Sequence, residues 1–296
     1  MSFDFDFRMR VRSPRPVVFE RLLRIEHLAR WFCGWSRIEP KVGGSFKFGG
    51  ETCLLQPEGR GWETTIEKGE VLRSFSFTWK IQGTPTRVSY QLEDDGEDAT
   101  ILRAQHIGVP IRGTTCGTLQ DAWRMCLGNL KSISEGRGDS VRPDHSPVVR
   151  PEVRLSVLIE ARPARVFGAL TESRELDDWS SGGVPIGEAA VDPKPGGRFS
   201  LGWANGPDWI LEIEQDRSMV LHSAPPDADG RVSLELEEKA SGTAIYVLAT
   251  GYRDNDTRRI LDDRGRWSEL LVCLKNHVEG GHAGFLNRYA AQVRPE

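Results

Sequence analysis

Few residues in this chain carry the types that do chemistry, and their spacing limits what they could do together. His106 closes a stretch in which Leu102, Ala104 and His106 alternate with Ile101, Arg103 and Gln105, so on a strand the imidazole shares a face with Leu102. A neutral imidazole there would hydrogen-bond a ligand or serve as a general base, and the same pattern fits a satisfied core or rim histidine. Arg103 and Arg124 are candidates to pair with a ligand carboxylate, with ordinary surface charge as the plainer role. The nine tryptophans are the most distinctive feature of the composition: Trp31, Trp35, Trp62, Trp79, Trp123, Trp179, Trp203, Trp209 and Trp267. Indoles line ligand pockets well because each combines a large apolar face with one N–H donor, and they fill cores for the same reason.

Other chemistries lack support. His277-Val278-Glu279-Gly280-Gly281-His282 holds two imidazoles and a carboxylate, but a pair five residues apart and interrupted by two glycines does not share a helical face as a zinc helix requires. No metal and no cofactor is expected. Dinucleotide and phosphate-loop glycine patterns are absent, as is a G-x-S-x-G elbow, so nucleotide-dependent and serine-hydrolase activities have no residues to stand on. The paired carboxylates Asp94-Asp95 and Asp262-Asp263 fall in a hairpin turn and an early helix turn, where solvation is the default. Cys33, Cys53, Cys116, Cys126 and Cys273 form no C-x-x-C pair, which suits reduced thiols in the cytoplasm.

The formal charge of −4 gives no general attraction to nucleic acid. It is unevenly spread, with 20 Lys+Arg against 17 Asp+Glu in residues 1–138 and 19 against 26 in residues 139–296. Opposite signs would let two halves dock, and a solvated surface explains them equally. No apolar run approaches the roughly 18 residues of a membrane span, and Met1 to Arg12 does not look like a secretory signal. The expected compartment is therefore the cytoplasm.

The elements that position these residues come in two copies. Phe19, Leu22, Leu28 and Trp31 reappear as Phe167, Leu170, Leu176 and Trp179; Gly43, Gly44 and Phe46 as Gly196, Gly197 and Phe199; Trp123, Leu127, Leu130 and Lys131 as Trp267, Leu271, Leu274 and Lys275. Each copy opens with a strictly alternating strand, Phe3 to Val11 or Val153 to Ile159. A proline turn and two short helices follow, then a Gly-Gly turn into a strand meander, and a long amphipathic helix closes the unit. Strands are predicted at 45–48, 51–56, 62–68, 71–81, 86–92 and 100–106, and at 198–204, 208–215, 219–223, 231–237 and 243–250. A curved sheet around a straight helix favours a hollow between them.

The motifs Pro163-Ala164-Arg165-Val166-Phe167 (tightened to Pro16-Val17-Val18-Phe19 in the first copy), Leu28-x-x-Trp31, Val42-Gly43-Gly44-Ser45-Phe46, Phe75 to Trp79 and Thr100 to Gly108 resemble the helix-grip fold of the START/Bet v 1-like (SRPBCC) superfamily. The similarity is greatest to its branch of heat-shock-protein-90 ATPase activator homologues. The resemblance implies an α+β chain of two tandem helix-grip domains, each a curved antiparallel sheet around a long C-terminal helix. Domain 1 is expected at 1–136, a linker at 137–151, domain 2 at 152–284 and a tail at 285–296. It also implies an apolar ligand beneath the long helix rather than a shared catalytic set.

Because Ala249 stands where the first copy has His106, and Met219 to His222 where it has the aromatic strand, the first cavity is the expected ligand site. The candidate ligand-binding residues are Trp35, Trp62, Trp79, Leu102, His106, Leu119, Trp123 and Leu127, with Trp203, Trp209, Trp267 and Leu271 in the second copy. The expectation is a non-catalytic binder of a small hydrophobic molecule. The alternatives are a co-chaperone-like module with a protein or chaperone partner, and a cyclase-like or self-resistance protein using His106 on a polycyclic or polyketide-like compound.

Overall fold

The computed structural model describes residues 2–56, 59–110, 115–181, 189–201, 208–222, 229–253, 256–282, 284–287 and 290–294. It divides into unit 1, Met1–Ser146 with Gly284–Glu296, and unit 2, Pro147–Ala283. In chain order unit 1 contains β1 (Ser2–Val11), α1 (Arg15–Leu23), α2 (Ile25–Trp31), β2 (Trp35–Ile38), β3 (Ser45–Gly49), β4 (Trp62–Glu70), β5 (Ser74–Ile81), β6 (Thr84–Asp94), β7 (Thr100–Pro110) and α3 (Thr115–Ser134). Unit 2 contains β8 (Val153–Ile159), α4 (Pro163–Thr171), α5 (Ser173–Ser181), β9 (Ala190–Val191), β10 (Arg198–Ser200), β11 (Asp208–Glu214), β12 (Ser218–His222), β13 (Arg231–Lys239), β14 (Gly242–Thr250) and α6 (Thr257–Gly280). The last strand, β15 (Ala291–Arg294), belongs to unit 1.

Both sheets are antiparallel, in the orders β15-β1-β7-β6-β5-β4-β3-β2 and β8-β14-β13-β12-β11-β10-β9. The chain is thus α+β with tandem helix-grip units. α4 starts on Pro163 and α1 carries Pro16 in its first turn, where the missing N–H costs nothing. The Gly-Gly turns are sterically required: Gly43 and Gly196 both have φ of 78°, and a Cβ on Gly44 or Gly197 would collide with the carbonyl of Glu39 or Asp192. The long helices are the core elements of each unit, α3 being buried throughout Ala122–Ser134 and α6 throughout Trp267–His277. Each fixes a buried lysine by an ion pair one turn on, Lys131 to Glu135 and Lys275 to Glu279, both at 2.5 Å.

Residues 51–56 do not form the expected strand; they are turns that bury Cys53 and Leu54. β2 pairs with β3 where no strand was expected. Residues 137–146 belong to unit 1 and make several polar contacts with it. Arg142 Nη2 donates to the carbonyls of Cys33 (2.6 Å) and Thr52 (3.2 Å), and Asn129 Nδ2 donates to that of Val141 (2.8 Å). The end of the chain also returns to unit 1, with Phe3 opposite Val293 and Phe5 opposite Ala291. Phe285 is buried there under the Arg124 guanidinium, 4.3 Å from the ring centroid.

Candidate functional site

Among the described residues of unit 1, the side chains beneath α3 pack closely on one another. The inward positions of β1, β3, β5 and β6 carry Phe5, Phe7, Phe46, Phe48, Phe75, Phe77, Trp79 and Tyr90, all buried. Phe32, the C-cap of α2, sits among them, with its ring 5.0 Å from that of Phe48, 5.9 Å from Trp79 and 6.2 Å from Trp123. Among the described residues the close ring–ring contacts all fall in this unit.

His106 is in the middle of this cluster and fully buried. Its ring lies parallel to Trp79, with centroids 5.4 Å apart and planes within 1°. Trp123 Nε1 donates to its Nδ1 at 3.1 Å, and its Nε2 is 2.8 Å from Thr86 Oγ1. Because Thr86 Oγ1 donates its own proton to the Trp79 carbonyl at 2.6 Å, it accepts from His106, which fixes the neutral Nε2–H tautomer. Burial pushes the imidazole pKa down from 6.5 to about 3. Both nitrogens are therefore committed to the fold, and neither is free to move a substrate proton. Burial likewise pushes the Cys33 and Cys53 thiols up to about 12, which leaves them poor nucleophiles.

The other expected residues of unit 1 divide three ways. Leu102 and Leu127 are buried in the core with Trp79, His106 and Trp123. Trp62 and Leu119, with Leu55, Gln56, Ile81, Gln82, Val109 and Pro110, line a recess of about 80 Å³, well below the roughly 300 Å³ at which small-molecule pockets begin. Trp35 is 41% exposed on β2, packed beside Gly49 and Gly61, and so lies outside the interior. Of the two arginines, Arg103 forms a two-pronged pair with Asp6 at 2.8 and 2.6 Å, and Arg124 is engaged with Phe285 and the Asn287 carbonyl.

Unit 2 repeats the frame with smaller side chains. Strand pairing fixes the register: Phe5 faces His106 as Val153 faces Ala249, Phe7 faces Ala104 as Leu155 faces Val247, and Phe75 faces Tyr90 as Met219 faces Leu234. In the same register Phe77 becomes Leu221, Thr86 becomes Gly230 and Phe48 becomes Leu201, while Phe32, one residue past the matched Trp31 and Trp179, becomes Ser180. Exposure differs from position to position: Trp267 is 5% exposed against 1% for Trp123 and Leu155 is only half-buried where Phe7 is fully buried, whereas Met219 and Leu221 are at least as buried as Phe75 and Phe77.

Trp267 and Leu271 lie on the buried stretch of α6. Trp209 stands 50% exposed at the start of β11, outside the interior, and Trp203 lies outside the described residues. With His106 replaced by Ala249, the Trp267 indole N–H has no acceptor, and the buried Ser180 hydroxyl also has no partner. His277, from the excluded metal motif, instead bonds Glu175 at 3.0 Å. Near the start of α6, Leu119 of unit 1 is matched by Asp263, which accepts from Tyr252 Oη at 2.9 Å and Arg266 Nη2 at 2.7 Å.

A family model described as Activator of Hsp90 ATPase homolog 1-like protein matches residues 12–135 and again residues 160–279. Among solved structures, DynU16, a protein in the dynemicin biosynthetic locus, is 17% identical with a TM-score of 0.39, covering 93% of this chain and 98% of that one. The Aha1 dimer from Colwellia psychrerythraea is 16% identical with a TM-score of 0.38, over 44% of this chain and 97% of that one. An HSP90 activator from Plasmodium falciparum is 18% identical with a TM-score of 0.38, over 44% and 95%. Among curated sequences, Neuropilin-1a of Danio rerio is 30% identical over 92 residues, which is 29% of this chain and only 10% of that protein's length. No helix among the described residues is long and apolar enough to cross a membrane.

Proposed function

Since the chain belongs to the Activator of Hsp90 ATPase homolog 1-like family through both halves, we propose that it is a non-catalytic binding protein whose small apolar ligand sits beneath α6 in unit 2, unit 1 being a copy that fills itself. One observation carries the reading: at one inward position after another, an aromatic or bulky residue of unit 1 is matched by a smaller one in unit 2. The replacements run mostly one way, toward smaller side chains, with Val247 in place of Ala104 the exception among the positions compared. Reasoning from residue types alone favours unit 1 because it holds the histidine and the clustered tryptophans. The close packing of those side chains on one another supports placing the ligand in unit 2.

Native mass spectrometry of unstripped protein tests this. Wild type is expected to carry one equivalent of an organic ligand. The variant Leu221→Phe/Leu234→Tyr/Ala249→His, which restores unit 1's side chains in unit 2, is expected to carry none. Ligand retained by a folded triple variant would overturn the assignment to unit 2.

The family membership favours a second reading, in which the chain acts on a chaperone partner. Adding the protein to an Hsp90 ATPase assay is then expected to raise turnover, and an unchanged rate at saturating protein removes that reading.

A further inference from the structure

We propose that the ligand of unit 2 is an uncharged apolar molecule bearing a carbonyl or equivalent acceptor, and that Trp267 Nε1–H donates to that acceptor with the Ser180 hydroxyl beside it. The inference rests on unit 2 being the binding unit, and it names the chemistry that unit selects. Trp267 and Ser180 are 5% and 4% exposed, and neither the indole nitrogen nor the hydroxyl oxygen has a partner. Buried donors are rarely left unmet, because each forfeits its hydration without compensation. Trp79 Nε1 of unit 1 is also unpartnered. What distinguishes unit 2 is that two unmet groups, Trp267 Nε1 and Ser180 Oγ, stand where unit 1 has a made hydrogen bond and an aromatic ring.

Unit 1 shows how the same donor is satisfied when the chain supplies the acceptor. There Trp123 Nε1 donates at 3.1 Å to His106 Nδ1 on a planar ring stacked parallel to Trp79, and the Phe32 ring, at the Ser180 position, is 6.2 Å from Trp123. Unit 2 keeps the indole but replaces the histidine by Ala249, its Thr86 partner by Gly230 and Phe32 by Ser180. A planar apolar skeleton with an in-plane acceptor would stand where unit 1 has its imidazole and phenyl rings, against the same indole. The sheet positions facing the site, Val153, Leu155, Leu221, Leu234, Val247 and Ala249, are all aliphatic, so a charged group set against the sheet would be buried without compensation there.

The test uses the full chain with two probes of one carbon skeleton, 1-tetralone, which has a ring ketone, and tetralin, which has none. Affinities are measured by calorimetry, and the Trp267 indole resonance, assigned through Trp267→Phe, is followed by NMR. The expected result is that 1-tetralone binds at least roughly tenfold more tightly than tetralin, with a downfield shift of the Trp267 N–H. Trp267→Phe should abolish that preference and Ser180→Ala should reduce it. Equal affinities for the two probes, or a preference that survives in folded Trp267→Phe, would overturn the acceptor assignment while leaving unit 2 as a binding unit. Failure of both probes to bind at millimolar concentration would overturn the binding reading as well. If Trp267→Phe does not fold, the wild-type affinity ratio and the Ser180→Ala variant decide the question.

Discussion

The buried histidine of unit 1 makes the packing account testable with protons alone. His106 has a folded pKa pushed from 6.5 to about 3 by burial, so between those values the unfolded chain binds a proton that the folded chain refuses. Stability is therefore complete above pH 6.5 and falls as the pH is lowered, by about 1.4 kcal/mol per unit, until the folded imidazole protonates near pH 3. By pH 4.5 the loss from this residue alone is about 3 kcal/mol, a large part of the stability of a typical domain. Long-range nitrogen–proton NMR should show His106 as an Nε2–H tautomer that does not titrate down to pH 4. Denaturant unfolding of wild type and His106→Gln across pH 4.5 to 7 should diverge with the slope given, since carboxylates contribute equally to both. An imidazole titrating near 6.5, or parallel stability profiles, would refute the packed interior and reopen general-base chemistry in unit 1.

The paired indoles should respond in opposite ways. Trp123→Phe removes a made hydrogen bond and strands His106 Nδ1, costing about 1–3 kcal/mol, whereas Trp267→Phe removes an unmet donor and should leave ligand-free stability unchanged or raised; urea unfolding of each variant checks this. Deleting residues 284–296 uncovers Phe285's site and the β1 edge. It should cost unit 1 about 3 kcal/mol and promote concentration-dependent association through the open edge, both measurable by unfolding and light scattering. Glu135→Gln leaves the fully buried Lys131 ammonium unpaired and should cost about 3 kcal/mol or more, while Lys131→Met should be far milder in the same thermal melts.

The frame of the fold was legible because its signals are local and occur twice: alternation in β1 and β8, proline helix starts, and Gly-Gly turns whose geometry only glycine satisfies. What escaped was non-local or short. β2 spans Trp35–Ile38, too brief to show a period, and β15 finds its partner, β1, at the opposite end of the chain. Residues 51–56 read as a strand because an apolar run also describes a buried turn.

The site was half legible. His106 was placed on the correct face, yet whether Trp79, Trp123 and Thr86 satisfy it depends on which side chains meet across three strands and a helix. The more useful signal was present but faint. It lies in the small residues Ala249, Gly230 and Ser180, whose meaning appears only when they are set against their partners in the other copy.

The most direct test of the central claim is a crystal structure of protein purified without stripping. The account predicts ligand density beneath α6 in unit 2, with its acceptor within hydrogen-bonding distance of Trp267 Nε1, and a unit 1 interior occupied by its own side chains. Density in unit 1, or a unit 2 interior closed solid by side chains with no ligand, would contradict it.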